Sequence, residues 1–139
     1  HEAPRSKSQM ECSFVMAGKA RGVFNALVEV EKGAIDCESS QKSKSLLLGA
    51  PGAGGAAVVH AIPKLIIKTD AVKASHGASV SSVSFEQLHY LQSRGIPRAE
   101  AERMIVRGFT EGVVERLPGE DLQGRADALL DQKQGGSHV

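Results

Sequence analysis

The sequence runs to 139 residues with a formal net charge of +1 and 4% aromatic residues. That length holds one domain, or one with an appendage, and buries a core without disulfide or metal staples. The near-neutral charge argues against nucleic acid or an anionic membrane as partner, and no apolar run reaches the roughly 18 residues of a membrane-spanning helix.

With one Tyr, four Phe and no Trp, any core is built from Val, Leu, Ile and Ala. The chain opens at "HEAPRSKS", with no initiator Met and no signal-peptide pattern. It starts as though in mid-structure and reads as a fragment of a longer protein. Its two cysteines, Cys12 and Cys37, form no C-x-x-C, which fits an intracellular, reduced protein. Up to residue 83, short apolar runs alternate with Gly, Ser and Lys: "CSFVMAG", "RGVFNALVEVE", "SLLLG" and "PKLIIKTDAV". In the second run Phe24, Ala26, Val28 and Val30 share one face, and Asn25, Leu27, Glu29 and Glu31 the other. A period of two means strand. No helical pattern separates the runs, so residues 1–83 are expected to form an all-β stack: a sandwich, a barrel or a β-solenoid.

Between two of these runs lies "LLLGAPGAGGAA", residues 46–57. Gly49 and Gly54 have the spacing of the phosphate-binding loop G-x-x-x-x-G-K-[ST]. The next two positions are Gly55 and Ala56, so the lysine for the β- and γ-phosphates and the hydroxyl for Mg²⁺ are both missing. Pro63 also follows too soon for a long helix with its N-terminus on a phosphate. The stretch reads as a flexible connection between strands, with no nucleotide site.

From Ser84 the pattern becomes helical. Ser84 and Gln87 have capping-box spacing, with Phe85, Leu88 and Leu91 on one face. "SRGIP" breaks the chain, and Pro97 suits the first turn of a second helix. There Ala101, Met104, Ile105, Gly108, Phe109, Gly112 and Val113 recur at steps of three and four. A helical Gly is worse than Ala by about 1 kcal/mol. Two glycines on this stripe therefore predict a buried face that another backbone approaches closely. Pro118 and Gly119 end the helix. A weaker third helix follows through Leu122, Ala126, Leu129 and Leu130, and residues 134–139 are expected to be a disordered tail.

Chemistry-bearing patterns are few. The histidines, at 1, 60, 76, 89 and 138, show neither H-x-x-x-H spacing nor a neighbouring Cys at zinc-ligand spacing. A G-x-S-x-G nucleophile elbow is absent. One stretch stands out, "DAVKASHGASV", in which His76 precedes Gly77 among small residues; the bland reading is a structural turn histidine. Cys37 reads as a small buried hydrophobe. Arg98, Glu100, Glu102, Arg103, Arg107, Glu111 and Glu115 form a solvated helix face or, on the sharper reading, a docking face. By residue chemistry alone this is an intracellular β domain with a helical appendage and no enzymatic centre.

The stretch "DAVKASHGASV" followed by "FEQLHYLQSRGIPRAEAERMIVRGF" resembles the SufB/SufD family, whose members assemble iron–sulfur clusters with the ABC-type ATPase SufC. The family pattern, close to "DDVKxSHGATVG…LFYLxSRGIxxxxAxxLLxxGF", is met by Asp70, Val72, Lys73, Ser75, His76, Gly77, Ala78 and Val80. It continues through Leu88, Tyr90, Leu91, Ser93, Arg94, Gly95, Ile96, Ala101, Gly108 and Phe109. Upstream, "RGVFNALVEVEKGA" is similar to a family rung and "QKSKSLLLG" to its Q-x-N-x-x-LLL turn. The resemblance covers residues 1 to about 118.

The resemblance implies a mainly β fold. Residues 1–83 would be the last coils of a right-handed parallel β-helix, and residues 84–133 a small helical subdomain that docks on SufC, with Arg94, Arg98, Arg103, Arg107 and Phe109 on the docking helices. Family members run to several hundred residues, so the chain looks like their C-terminal third. They pair through the β-helix ends, so the partner is a SufB or a second copy of this chain. No cofactor is tightly held, but a transient iron–sulfur cluster forms at the dimer interface, near His76 and Ser43. Ser43 stands where SufB has a cysteine, and His76-Gly77 where SufB has His-Glu; both are SufD-like. "HEAPR" and "MIVRGF" lean towards SufB. The missing thiolate is the ligand a cluster prefers, which leaves His76 as a transient iron ligand through its neutral imidazole. The implied function is a non-catalytic subunit that couples SufC to the β-helix dimer, in the cytoplasm or, in a eukaryote, the plastid stroma. The alternatives are a SufB-like scaffold, a plain interaction module, and a metal-site enzyme using His76, Cys12 or Cys37.

Overall fold

The computed structural model describes residues 1–49 and 57–135. The chain divides into two units, His1–Ser82 and Val83–Val139. Most of the regular structure is strand, in parallel sheets, so the molecule is mainly β. Of the glycine-rich stretch at residues 46–57, residues 50–56, with Gly54, Gly55 and Ala56 on which the nucleotide reading turned, lie outside the described residues.

The first unit contains β1 (Lys7–Ala17), β2 (Arg21–Val30), β3 (Cys37–Leu48), β4 (Val58–Ile67) and β5 (Val72–Ser82). Successive strands go to different sheets. Sheet A has the order β1-β3-β5 and sheet B pairs β2 with β4, all in parallel. Lys7 stands opposite Glu38 and Cys37 opposite Val72, so the chain returns to sheet A beside its own earlier strand. Parallel neighbours need a crossover, and here the crossover is itself a strand of the other sheet.

Period-two patterning sets which face is buried. On β2, Phe24, Ala26 and Val30 are buried while Asn25, Leu27 and Glu29 are exposed, as the alternation predicts. On β3 the buried positions are Cys37, Ser39, Gln41, Ser43, Ser45 and Leu46. Val30, Ala34 and Cys37 form an apolar cluster, with Val28 and Val72 packed against it. The corner there is stacked as well. Arg5 N–H donates to Ile35 O at 2.8 Å and Asp36 N–H to Ala71 O at 2.7 Å. Arg5 and Asp36 occupy equivalent positions in register, and both are left-handed, at φ 59° and 55°.

The second unit holds α1 (Phe85–Ser93), α2 (Arg98–Val114) and α3 (Glu120–Gly135). Ser84 Oγ caps α1 by accepting from Gln87 N–H. Gly95, at φ 85°, ends it in a Schellman motif: Ile96 N–H donates to Leu91 O and Gly95 N–H to Gln92 O. Pro97 sits one residue earlier than expected, at the N-cap of α2. The last helix runs past residue 133, where the tail was expected to begin; residues 136–139 lie outside the described residues. Among the described residues no helix is long and apolar enough to cross a membrane.

Two sequence expectations for the helices are corrected. Phe85, placed on the buried face of α1 with Leu88 and Leu91, is 79% exposed, and only Leu88 is buried. On α2 the buried residues are Ala101, Val106, Thr110 and Val114. Met104, Gly108 and Gly112 are exposed, and a Cβ added at either glycine meets nothing within 4 Å. Ala101 is buried as the stripe read in the sequence has it, but Val106, Thr110 and Val114 lie on the side of the helix opposite Gly108 and Gly112. Thr110 was passed over as polar, yet its hydroxyl is satisfied within the helix by Val106 O at 3.0 Å, so it enters the core at little cost.

Candidate functional site

The inner face of sheet A is organised in rows across three strands. Ser8, Ser39 and Ala74 form one row; Met10, Gln41 and His76 the next; Cys12, Ser43 and Ala78 the third. Side chains in register on parallel strands project to the same side. His76 and Ser43, more than thirty residues apart in sequence, therefore lie in adjacent rows of one face, on neighbouring strands. They differ in access. Ser43 is on the central strand and 2% exposed; His76 is on β5, at the sheet edge, and exposed.

The two cysteines are held apart by the same register. Cys12 is half-buried beside Ser43, and burial pushes its thiol above the usual range. A thiol kept protonated in this way is a poor nucleophile and a poor metal ligand. Cys37 begins β3, two rows from Gln41, and is fully buried. Its Sγ donates to Ala3 O at 3.3 Å and lies 3.2 Å from Ser6 Oγ. It is a small core residue, as expected, and it also ties the opening segment to β3. Among the described residues no three His, Cys, Asp or Glu side chains converge. His76, Cys12 and Cys37 therefore do not assemble into the ligand set that the metal-site reading requires.

The outer face of sheet A carries charge rather than chemistry. Glu38 lies between Lys7, at 2.9 Å, and Lys73, at 4.0 Å. The hydrogen bond from Lys7 and then its charge hold the Glu38 carboxyl below its ordinary value. Exposed pairs of this kind contribute little to stability.

On the helical unit the arginines singled out in the sequence have different surroundings. Arg98 Nε donates to Glu102 Oε1 at 2.9 Å, and Arg103 pairs with Glu100. Both are engaged within their own helix. The Arg94 guanidinium lies 5.4 Å from the centre of the Tyr90 ring, in cation–π contact. Arg107 is exposed beside a shallow hollow lined by Glu111, Glu115, Gln123 and Asp127. Phe109 is half-buried. Sequence reasoning missed two exposed ring contacts on different sides of α1: Phe85 stacks on His89 with centroids 5.9 Å apart, and Tyr90 sits under Arg94. Both are i,i+4 pairs visible in the sequence, where Phe85 also fits the apolar face of α1.

Comparison with known proteins defines the class. Residues 1–109 match the family described as SUF system FeS cluster assembly, SufBD core domain. The chain belongs to this family. It is 39% identical over 119 residues to the iron–sulfur cluster assembly protein SufD of Bacillus subtilis, covering 86% of this chain and 26% of that protein. It is 36% identical over 119 residues to SufD of Escherichia coli, covering 86% of this chain and 27% of that protein. It is 34% identical over 124 residues to the chloroplastic protein ABCI7 of Arabidopsis thaliana, covering 88% of this chain and 25% of that protein. The chain thus spans about a quarter of the length of these relatives.

Proposed function

We propose that the chain is the core of a SufD-like, non-catalytic subunit of the SUF iron–sulfur cluster assembly system. The observation that carries this is the family match over residues 1–109 together with the likeness to two proteins named SufD. On this reading β1 to β5 are coils of a right-handed parallel β-helix. The alternation of strands between two parallel sheets supports it, since a chain that coils once per pair of strands returns each time to the same sheet. The β-helix pairs with a SufB or with a second copy, and the helical unit docks on SufC. The protein works in the cytoplasm or the plastid stroma; the chloroplastic relative supports the second setting.

The SufD-like assignment over the SufB-like one rests on row chemistry. Ser43, on the central strand, offers a buried hydroxyl rather than a thiolate. The exposed imidazole of His76, one row away at the sheet edge, is then the group on this face suited to hold iron briefly, with the metal as cargo. SufC docking draws on the exposed Tyr90–Arg94 pair of α1, since exposed aromatic and arginine side chains are the usual anchors of an interface.

The experiment uses the full-length protein. His76→Ala is expected to leave SufC capture in a pull-down intact and to lower the iron and sulfide recovered with the complex. Unchanged cluster yield, or loss of SufC capture by this variant, would show that the proposed division of labour is wrong.

A further inference from the structure

The inner face of β3 is polar where a core is ordinarily apolar. Ser39, Gln41, Ser43 and Ser45 all point inwards and are at most 5% exposed. In each row the neighbouring strands decide whether the polar atom finds a partner. Ser39 stands between Ser8 and Ala74, and its hydroxyl bonds Ser8 Oγ at 3.1 Å. Gln41 stands between Met10 and His76 and reaches across to sheet B, where its Nε2 donates to Lys64 O at 3.3 Å. Its Oε1 is buried and has no partner. Ser43 stands between Cys12 and Ala78, and Ser45 between Phe14 and Val80. Neither flanking pair offers a nitrogen or oxygen side-chain atom, and both hydroxyls are buried without a partner.

Three unpartnered polar atoms thus follow one another along one strand, in rows about 6.7 Å apart. Folded proteins leave very few buried polar atoms unpaired, and ordered water commonly supplies the missing bonds. No charged side chain of β3 faces these atoms, since Lys42 and Lys44 alternate with them and point to the other face, and this favours a neutral ligand. It must also both donate and accept, since Gln41 Oε1 only accepts while each serine hydroxyl has an O–H to donate. We propose that Gln41 Oε1, Ser43 Oγ and Ser45 Oγ line an internal hydration site, a file of ordered water along the inner face of β3 that runs past the Cys12 thiol. Water with partners about 2.8 Å away on each side nearly spans the distance between successive rows. This site is independent of the assembly reading, because it depends only on the register of sheet A.

Two measurements on the full-length protein test it. A crystal structure in which ordered solvent is visible is expected to show water within hydrogen-bonding distance of all three atoms. A dry inner face, or an ion in its place, overturns the proposal. In thermal melts Ser43→Ala and Ser45→Ala are each expected to lower Tm, because each removes a partner from a water that stays behind. An unchanged or raised Tm in both variants means that a dry, unsatisfied hydroxyl was deleted, and the proposal fails.

Discussion

The smallest features with measurable consequences are the two ends of α1. Ser84 satisfies one of the free N–H groups at its start, and Gly95 adopts φ 85° at its finish. Ser84→Ala is expected to lower stability by about 1 kcal/mol. Gly95→Ala forces a side chain into the left-handed region and is expected to lower it by about 1–3 kcal/mol. Chemical denaturation followed by helical signal reads both, and equal stability of Gly95→Ala and the parent would refute the Schellman assignment. A second residue-scale feature is electrostatic. Lys68 Nζ lies 2.7 Å from both Glu29 and Glu31. The hydrogen bond from Lys68, then its charge, lowers the Glu29 carboxyl from its ordinary value of 4.5. A group lowered in the folded state stabilises the fold above its unfolded value, and that contribution is lost as pH falls through the folded one. Stability is therefore expected to decline below about pH 4.5, less steeply in Lys68→Met. The groups are exposed, so the effect is small and shrinks with salt. Identical acid titrations of parent and variant would remove Lys68 from the account.

At the scale of elements, α2 gives the sharpest reversal. A stripe through Gly108 and Gly112 predicted a close backbone approach, for which a larger side chain would be disruptive. In the structure both positions open to free space within a regular helix. Gly108→Ala and Gly112→Ala are each expected to stabilise the protein by up to about 1 kcal/mol, since Ala is the better helix former and meets no neighbour. A fall in Tm would restore the buried-stripe reading. The same helix changes how a docking test is designed. Arg98 and Arg103 already pair with Glu102 and Glu100, so reversing their charge also breaks pairs within α2. Tyr90, exposed on α1, is the cleaner target. Tyr90→Ala is expected to weaken SufC capture by roughly tenfold or more, as loss of an interface anchor does, while leaving the melting temperature near that of the parent. A variant that binds SufC as the parent does would move the docking face elsewhere.

On the scale of the whole molecule, the described strands leave sheet A with edges at β1 and β5. Its outermost strand β5 carries Val80, which is exposed. An open strand edge pairs readily with another chain, and closed symmetric pairs are the commonest outcome. Light scattering of the full-length protein, alone and mixed with SufB, is expected to give a dimer that Val80→Lys shifts towards monomer. A monomer at all concentrations, with and without SufB, would leave the pairing proposal without support.

Much of this molecule could be read before any coordinates. Alternation in "VFNALVEVE" marked β2 and its buried face, because a strand's period of two is set by backbone geometry alone. Ser84, Gly95 and Pro97 marked the helix boundaries for a similar reason: caps and left-handed turns are local chemistry. The motif residues around His76 and Arg94 identified the family. What the sequence left open was everything set by register and phase. The four polar residues Ser39, Gln41, Ser43 and Ser45 carry no apolar pattern that marks a buried face, and the pairing of β3 between β1 and β5 turns them inwards. Nothing local says that Cys12 stands beside Ser43, or that His76 and Ser43 share a face, since parallel partners are separated by a full crossover. The phase of α2 was missed because apolar residues lie on more than one side of the helix, and packing against α1 and α3 selects the side of Val106 and Val114. The sequence by itself determined the local elements and the family, because these depend on near neighbours along the chain. Which side chains meet was decided by tertiary structure, because parallel pairing joins residues that no periodicity connects.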